Sequence, residues 1–445
     1  MSPPVNLALV GINGYGAFYV DALLNDPRFA DVRLAAVVDP AAHRCRRLDE
    51  LLTRGCRVHP SLASLLATTP DLDLLAIAAP THLHARMTCA ALARGANVLC
   101  EKPLAGSLAD ALNVAEVHRT SPAFAAIGYQ WSFSAAIQHL KRDVMAGLLG
   151  QPLRMRSIAS YPRGQAYFTR NDWAGRVVTA KGDVVNDSPV NNATAHFLHN
   201  MLYILGPTRE TSAMPARVQA ELYRANAIDN FDTAALRCET SDGVEILFYT
   251  THAEVRAIGP ESVLEFTDAT VSYDRTDGGR FIARFTDGRV KDYGNPDHDR
   301  RQPLVQCVEA VRTGDRIACG VEAAIAQTIC IAAASCSPIV NFPAALHRIV
   351  SAAEGPMISI DGLGDALTRS YDAALLPSEC RDVPWSCPAP VVNTMAAIGR
   401  SSLPTDAALA KDGLGTPATM PAGTPLDKTR EKSSDWQQEV VIEID

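Results

Sequence analysis

The stretch VNLALVGINGYGAFYV, residues 5 to 20, decides the fold. It opens with an apolar run too uniform for a strand that is wet on one face, turns through Gly11, Gly14 and Gly16, and continues as a helix from about Tyr15 to Asn25. A strand covered on both faces, a glycine-rich turn and a helix make the first unit of a parallel, doubly wound sheet. Three further strand-then-helix pairs follow: VRLAAVVD before 43–53, LDLLAIAAP before 84–94, and NVLCEKP before 107–119. The run AFAAIGYQW adds one more strand and the exit from the domain, so residues 1–127 read as a Rossmann domain binding NAD(P).

From 128 onward the pattern changes. After a helix at about 135–146, strand-like runs separated by Asp-Gly pairs at 242, 277 and 287 suit antiparallel hairpins. Helices interrupt at about 192–205, 304–313 and 321–335, which gives a second α+β domain over 128–383 with a mostly antiparallel open sheet. Residues 384–445, rich in Pro, Gly, Thr and Ser, read as a flexible tail, with a possible strand in its last ten residues.

Bulk composition narrows the function. The chain has 445 residues, 47% hydrophobic and 20% charged, which suits an ordinary globular protein of two domains. A formal charge of −8 argues against nucleic acid or an anionic membrane as main partner. Eleven cysteines without a CxxC pair read as reduced buried thiols, with no metal site, and so as a cytoplasmic location. The N-terminus lacks a basic leader and no apolar run reaches bilayer length.

The motifs refine this. Gly11, Gly14 and Gly16, with Asn13 and Tyr15 between them, let the backbone approach a pyrophosphate at a helix start. Asp39, ending the second strand, can accept from an adenosine ribose and repels a 2′-phosphate, which favours NAD while leaving NADP open. His43, Arg44, Arg46 and Arg47 nearby read as a solvated face. Pro80, Thr81 and His84 lie where the next strand turns into its helix, at the carboxyl edge of the sheet over the cofactor.

GINGYG, Asp39, APTHLHA and above all EKP (Glu101–Lys102–Pro103), in this order, resemble the Gfo/Idh/MocA oxidoreductase family over roughly residues 5 to 340. The resemblance implies a catalytic ammonium at Lys102 near the nicotinamide, positioned by Glu101 and by an often cis peptide at Pro103. It also implies a homodimer or homotetramer. NNATAHFLHN falls in register with the family's D-x-G-x-H-x-x-D pattern, with Asn192, Thr194, His196 and His199 in its four places. His196 is kept, Asn192 stands for the first acid and His199 for the last. An amide can orient the imidazole but cannot supply the charge, and Asp187 is a candidate substitute. Placed on one helix face, Asn192 and His196 would address one ligand.

Gln130 falls where the family places an amide on the cofactor side, and Ser132 where an Arg is common. Arg170, Asn171, Trp173 and Arg176 form a candidate specificity loop, an aromatic plane with bidentate donors for a polyol. The expected activity is hydride transfer between NAD(P) and a secondary alcohol of a sugar, cyclitol or polyol. Lys102, His196 and Asn192 would be its catalytic residues. Two alternatives stand beside it: cleavage of a glycoside by transient oxidation and elimination, and a non-catalytic dinucleotide- or sugar-binding regulator.

Overall fold

The computed structural model describes residues 4–352, 354–395 and 398. In the first domain six strands form one parallel sheet: β1 (Val5–Val10), β2 (Val32–Val38), β3 (Arg57–His59), β4 (Leu74–Ile77), β5 (Asn97–Cys100) and β6 (Ala125–Ile127). Their spatial order is β3-β2-β1-β4-β5-β6, the doubly wound order that reverses beside β1. Helices α1 (Gly16–Asn25), α2 (Leu48–Thr53), α3 (Leu62–Thr68), α4 (Thr81–Leu92) and α5 (Leu108–Thr120) make the crossovers. The apolar strands are buried on both faces, as at Leu7, Leu9, Leu74 and Leu75. Strand β3 and helix α3, both short, are the elements of this domain that the sequence pattern did not mark.

Among the described residues the second domain holds a ten-stranded sheet and six helices. Its strands are β7 (Pro152–Ser160), β8 (Pro215–Arg224), β9 (Thr233–Thr240), β10 (Glu245–Thr251), β11 (Ile258–Phe266), β12 (Ala269–Asp274), β13 (Phe281–Phe285), β14 (Val290–Gly294), β15 (Ile339–Asn341) and β18 (Val391–Asn393). The order is β14-β13-β12-β11-β7-β10-β9-β8-β15, with β18 also on β8. Pairing is antiparallel except β7–β10 and β8–β15. A separate hairpin pairs β16 (His347–Ala352) with β17 (Gly355–Ile360). The helices are α6 (Ala135–Met145), α7 (Gln165–Phe168), α8 (Ala195–Ile204), α9 (Gln302–Thr313), α10 (Val321–Ala334) and α11 (Leu363–Ala373). Of these six, α9 sits on the first domain, against β1, β4 and β5.

Three boundaries differ from the sequence reading. Helix α8 begins at Ala195, so Asn192 lies in the turn before it rather than on its face. The hairpin β16–β17 and helix α11 fill a region to which the sequence reading assigned no elements. The chain also stays ordered past Val383: Trp385 is buried against Tyr223 and Phe342, and β18 pairs with β8. The suggested strand at the extreme C-terminus lies outside the described residues. Among the described residues no helix is long and apolar enough to cross a membrane.

Candidate active site

The carboxyl edge of the first sheet is built for a dinucleotide. Gly11 has φ 80°, and a Cβ there would come within 2.5 Å of the Ala78 carbonyl oxygen. A Cβ on Gly16 would meet the Gly11 oxygen at 2.0 Å. Both glycines therefore let the turn lie flat against β4, the geometry a pyrophosphate needs. Helix α1 has no side-chain cap and no acid in its first turn, so no negative charge competes for its positive end.

Asp39 is tied into this turn. Its Oδ2 accepts from Ile12 N at 2.9 Å and Asn13 Nδ2 at 3.0 Å, and its Oδ1 from Ala41 N at 2.8 Å. The carboxylate thus links the glycine turn to the end of β2. Asp39 also lines an open depression with Pro40, Ala42, His43, Val58, His59 and Pro60, where the adenosine end would lie. These residues fit a bound NAD.

Lys102 follows β5 directly, before a cis peptide to Pro103. Its Nζ crosses to the second domain and donates to the Asn192 backbone oxygen at 2.9 Å and to Asn192 Oδ1 at 3.2 Å. The Asn192 amide nitrogen in turn donates to Asp187 Oδ1 at 2.8 Å. A carboxylate only accepts and an ammonium only donates, so the amide has one consistent orientation. Asp187 is buried and its Oδ2 accepts from Gly175 N at 2.7 Å and from Arg170 Nη2 at 3.4 Å. The carboxylate missing from position 192 is therefore supplied by Asp187, five residues earlier, through the Asn192 amide. Sequence spacing alone gave Asp187 as a candidate without revealing this bond.

His196, on the first turn of α8, stands beside this chain. Its half-buried ring lies edge-on to Tyr129, with centroids 5.8 Å apart, and its Nδ1 has no hydrogen-bond partner among the described residues. Its pKa falls well below the ordinary imidazole value, first because of burial and next because of the nearby Lys102 charge. A neutral imidazole next to an ammonium at the edge of a dinucleotide site can take a proton from an alcohol whose oxygen the ammonium holds.

Several sequence candidates have other tasks. His84 is buried. Its Nδ1 lies 2.7 Å from the Pro103 oxygen and its Nε2 2.8 Å from the Ala79 oxygen, so it ties the Lys102 turn to the end of β4 and does not face a cofactor. His199 belongs to the core. It stacks on Tyr129 at 3.8 Å, its Nε2 lies 3.0 Å from Ser132 Oγ, and burial pushes its pKa down to about 3. Glu101 turns inward and accepts from Tyr19 OH at 2.5 Å. Pro80 and Thr81 sit half-buried at the start of α4, and Gln130 half-buried at the turn leading into α6.

The proposed specificity loop splits. Arg170 is buried over the Tyr167 ring at 3.8 Å and reaches Asp187, while Trp173 packs behind it and Asn171 Oδ1 accepts from Trp173 N. The Arg176 side chain lies on the surface beside Asp229, while its backbone oxygen accepts from Asp187 N at 2.8 Å. The same loop rests on the first domain: a Cβ on Gly106 would meet the Val184 oxygen at 2.1 Å. Only glycine allows this approach, three residues past Glu101–Lys102–Pro103.

A doubly wound dinucleotide domain whose lysine reaches a second domain beside a histidine defines the class. A family model described as "Oxidoreductase family, NAD-binding Rossmann fold" matches residues 5–129. Inositol 2-dehydrogenase of Streptomyces avermitilis is 34% identical over 167 residues, 36% of this chain and 48% of that protein. Inositol 2-dehydrogenase of Leifsonia xyli subsp. xyli is 26% identical over 315 residues, 69% of this chain and 86% of that protein. Several of the curated relatives, the first included, are thus matched over about half their length. The fold resembles that of the WlbA dehydrogenase of Chromobacterium violaceum, solved with NADH and UDP-GlcNAcA. The TM-score is 0.62 at 18% identity, covering 76% of this chain and 94% of that one. An oxidoreductase of Agrobacterium radiobacter, solved with NAD+, L-tartaric acid and magnesium, gives a TM-score of 0.59 at 17% identity, covering 74% and 95%. Over residues 5–129 the chain is similar to this oxidoreductase family, and its first domain is an NAD-binding Rossmann domain.

Proposed function

We propose that the protein is an NAD-dependent dehydrogenase acting on a secondary alcohol of a sugar, cyclitol or related polyol. The observation that carries this reading is the bond from Lys102 Nζ, on the dinucleotide domain, to Asn192, four residues before His196 on the second domain. The curated relatives named as inositol 2-dehydrogenases support the substrate class. The negative charge of Asp39 at the ribose end favours NAD over NADP.

When bound, NAD supplies the acceptor for a hydride from the carbinol carbon. In the oxidative direction His196 Nε2 or Nδ1, neutral because of burial and Lys102, accepts the hydroxyl proton. Lys102 donates to the same oxygen and stabilises the negative charge that grows there. Asn192, fixed by Asp187, holds the ammonium in line, and Arg170 anchors Asp187 from behind.

The test is NADH formation, followed by absorbance, with full-length protein, NAD+ or NADP+, and a panel of inositols, aldoses and alditols. A polyol that drives net NADH release, with NAD+ preferred, is the expected result. Cleavage of a glycoside with no net NADH would replace this reading by the oxidation–elimination route. Tight NAD binding with no turnover of any kind would replace it by a binding protein.

A further inference from the structure

The second-domain sheet has two faces, and this one chain buries an apolar cluster on each. Its inner face, with Met155, Phe248 and Leu236, joins the main core under α8 and α10. Residues of the opposite parity, Ile158, Leu247, Tyr249, Ala235 and Tyr223, form a second apolar cluster on the outer face. A patch of this kind left bare would be a site of association. Here it is covered by Phe342, Ile360, Leu363, Leu367, Tyr371 and Trp385, from the segment between 342 and 385.

The cover is specific as well as apolar. Tyr249 OH donates to the Leu375 oxygen at 2.8 Å, and Arg156 Nη1 to the Asp372 oxygen at 2.8 Å. The Cys387 amide donates to Tyr223 OH at 3.0 Å. Towards its other end the outer face carries no comparable apolar surface. Arg154 and Arg237 share Glu245 at 2.7 and 2.9 Å, Arg237 pairs with Glu379 of the segment at 2.6 Å, and Arg217 pairs with Glu239. A second copy docking there would have to desolvate these ions with little apolar area in return.

The segment also reaches the site. The Glu354 backbone oxygen accepts from Ala166 N at 3.0 Å, and its carboxylate accepts from Arg163 Nη1 and Gly164 N, both at 3.3 Å. Gly164 precedes α7, whose Tyr167 carries Arg170 on its ring and on its carbonyl.

We propose that the segment between 342 and 385 takes the place of a second subunit: it closes the outer face of the sheet and braces the 161–170 loop from within the same chain. The face is then closed to a partner, and any oligomer forms elsewhere. This does not depend on which reaction the protein catalyses.

The test uses the full chain in sedimentation velocity at micromolar concentration, alongside Arg237→Glu, at the charged end of the outer face, and Arg369→Glu, exposed on the covering helix α11. A single species near 47.7 kDa supports the proposal. A larger assembly that both variants leave intact joins through another surface and supports it too. A larger assembly that either variant reduces to single chains overturns it. The brace is read separately by hydrogen exchange in Glu354→Ala, where the amides of Gly164 and Ala166 should exchange at least about tenfold faster than in the parent. Unchanged exchange there would remove the brace.

Discussion

His196 and His199 lie three positions apart on α8, and their rings point about 60° apart around the helix. Both touch Tyr129, one edge-on and one stacked. That small rotation separates a ring beside Lys102 from a ring bonded to Ser132 in the core. The pattern D-x-G-x-H-x-x-D names both positions, but only the depth of each behind Tyr129 decides which one meets a ligand. The two rings therefore make opposite demands on experiment: His196 should control rate, and His199 should control stability.

The largest effect is expected at His196. His196→Asn should lower kcat/KM by roughly 10³ with NAD binding retained, as the loss of a general base does. In the parent, the oxidative rate should hold below pH 6.5, the ordinary imidazole value, because the depressed pKa keeps the ring neutral there. Steady-state profiles on both proteins check this, and a rate halved near pH 6.5 would show that His196 is an ordinary solvated ring.

Lys102→Met should cost roughly 10² to 10³ in kcat, the size of one lost charge-stabilising donor. Titration with NAD+ should give an unchanged affinity. Asp187→Asn frees the Asn192 amide to present either end to Lys102, and about a tenfold fall in kcat is expected at little cost in KM. Full activity in that variant would mean that Asn192 holds the lysine without help.

His199→Phe keeps the stack on Tyr129 and should change the rate less than twofold. Its effect is on acid tolerance. The folded pKa of about 3 lies below the unfolded value of 6.5, so the unfolded chain takes up a proton first and stability falls as pH drops from 6.5 towards 3. At pH 5 this one ring accounts for about 2 kcal/mol of loss. Denaturant midpoints at pH 7 and pH 5 should converge in the variant; an equal gap in both proteins would place the acid sensitivity elsewhere, for example at the similarly buried His252.

Much of the first domain was legible because its signals are local. Apolar strands, the Gly11–Gly16 turn and Asp39 each carry their reason within a few residues. Lys102 and His196 were legible for the same reason, each within a short motif. What escaped depends on contacts distant in sequence. His84 looks like a helix-start residue until Pro103 and Ala79 close on it. Asn192 was assigned to a helix face, and its true support, Asp187, comes from the turn before. Helix α11 has a clear amphipathic face, yet nothing nearby in sequence tells that β7 and β10, more than a hundred residues earlier, will receive it.

The bond between Lys102 and Asn192 has a further consequence for selectivity. An incoming hydroxyl does not meet a bare cation: it shares the ammonium with two oxygens of Asn192 already seated at 2.9 and 3.2 Å. A contact to a charge so shared adds only a small net gain. A lone alcohol profits little from it, whereas a molecule bearing several hydroxyls can add contacts through its other groups.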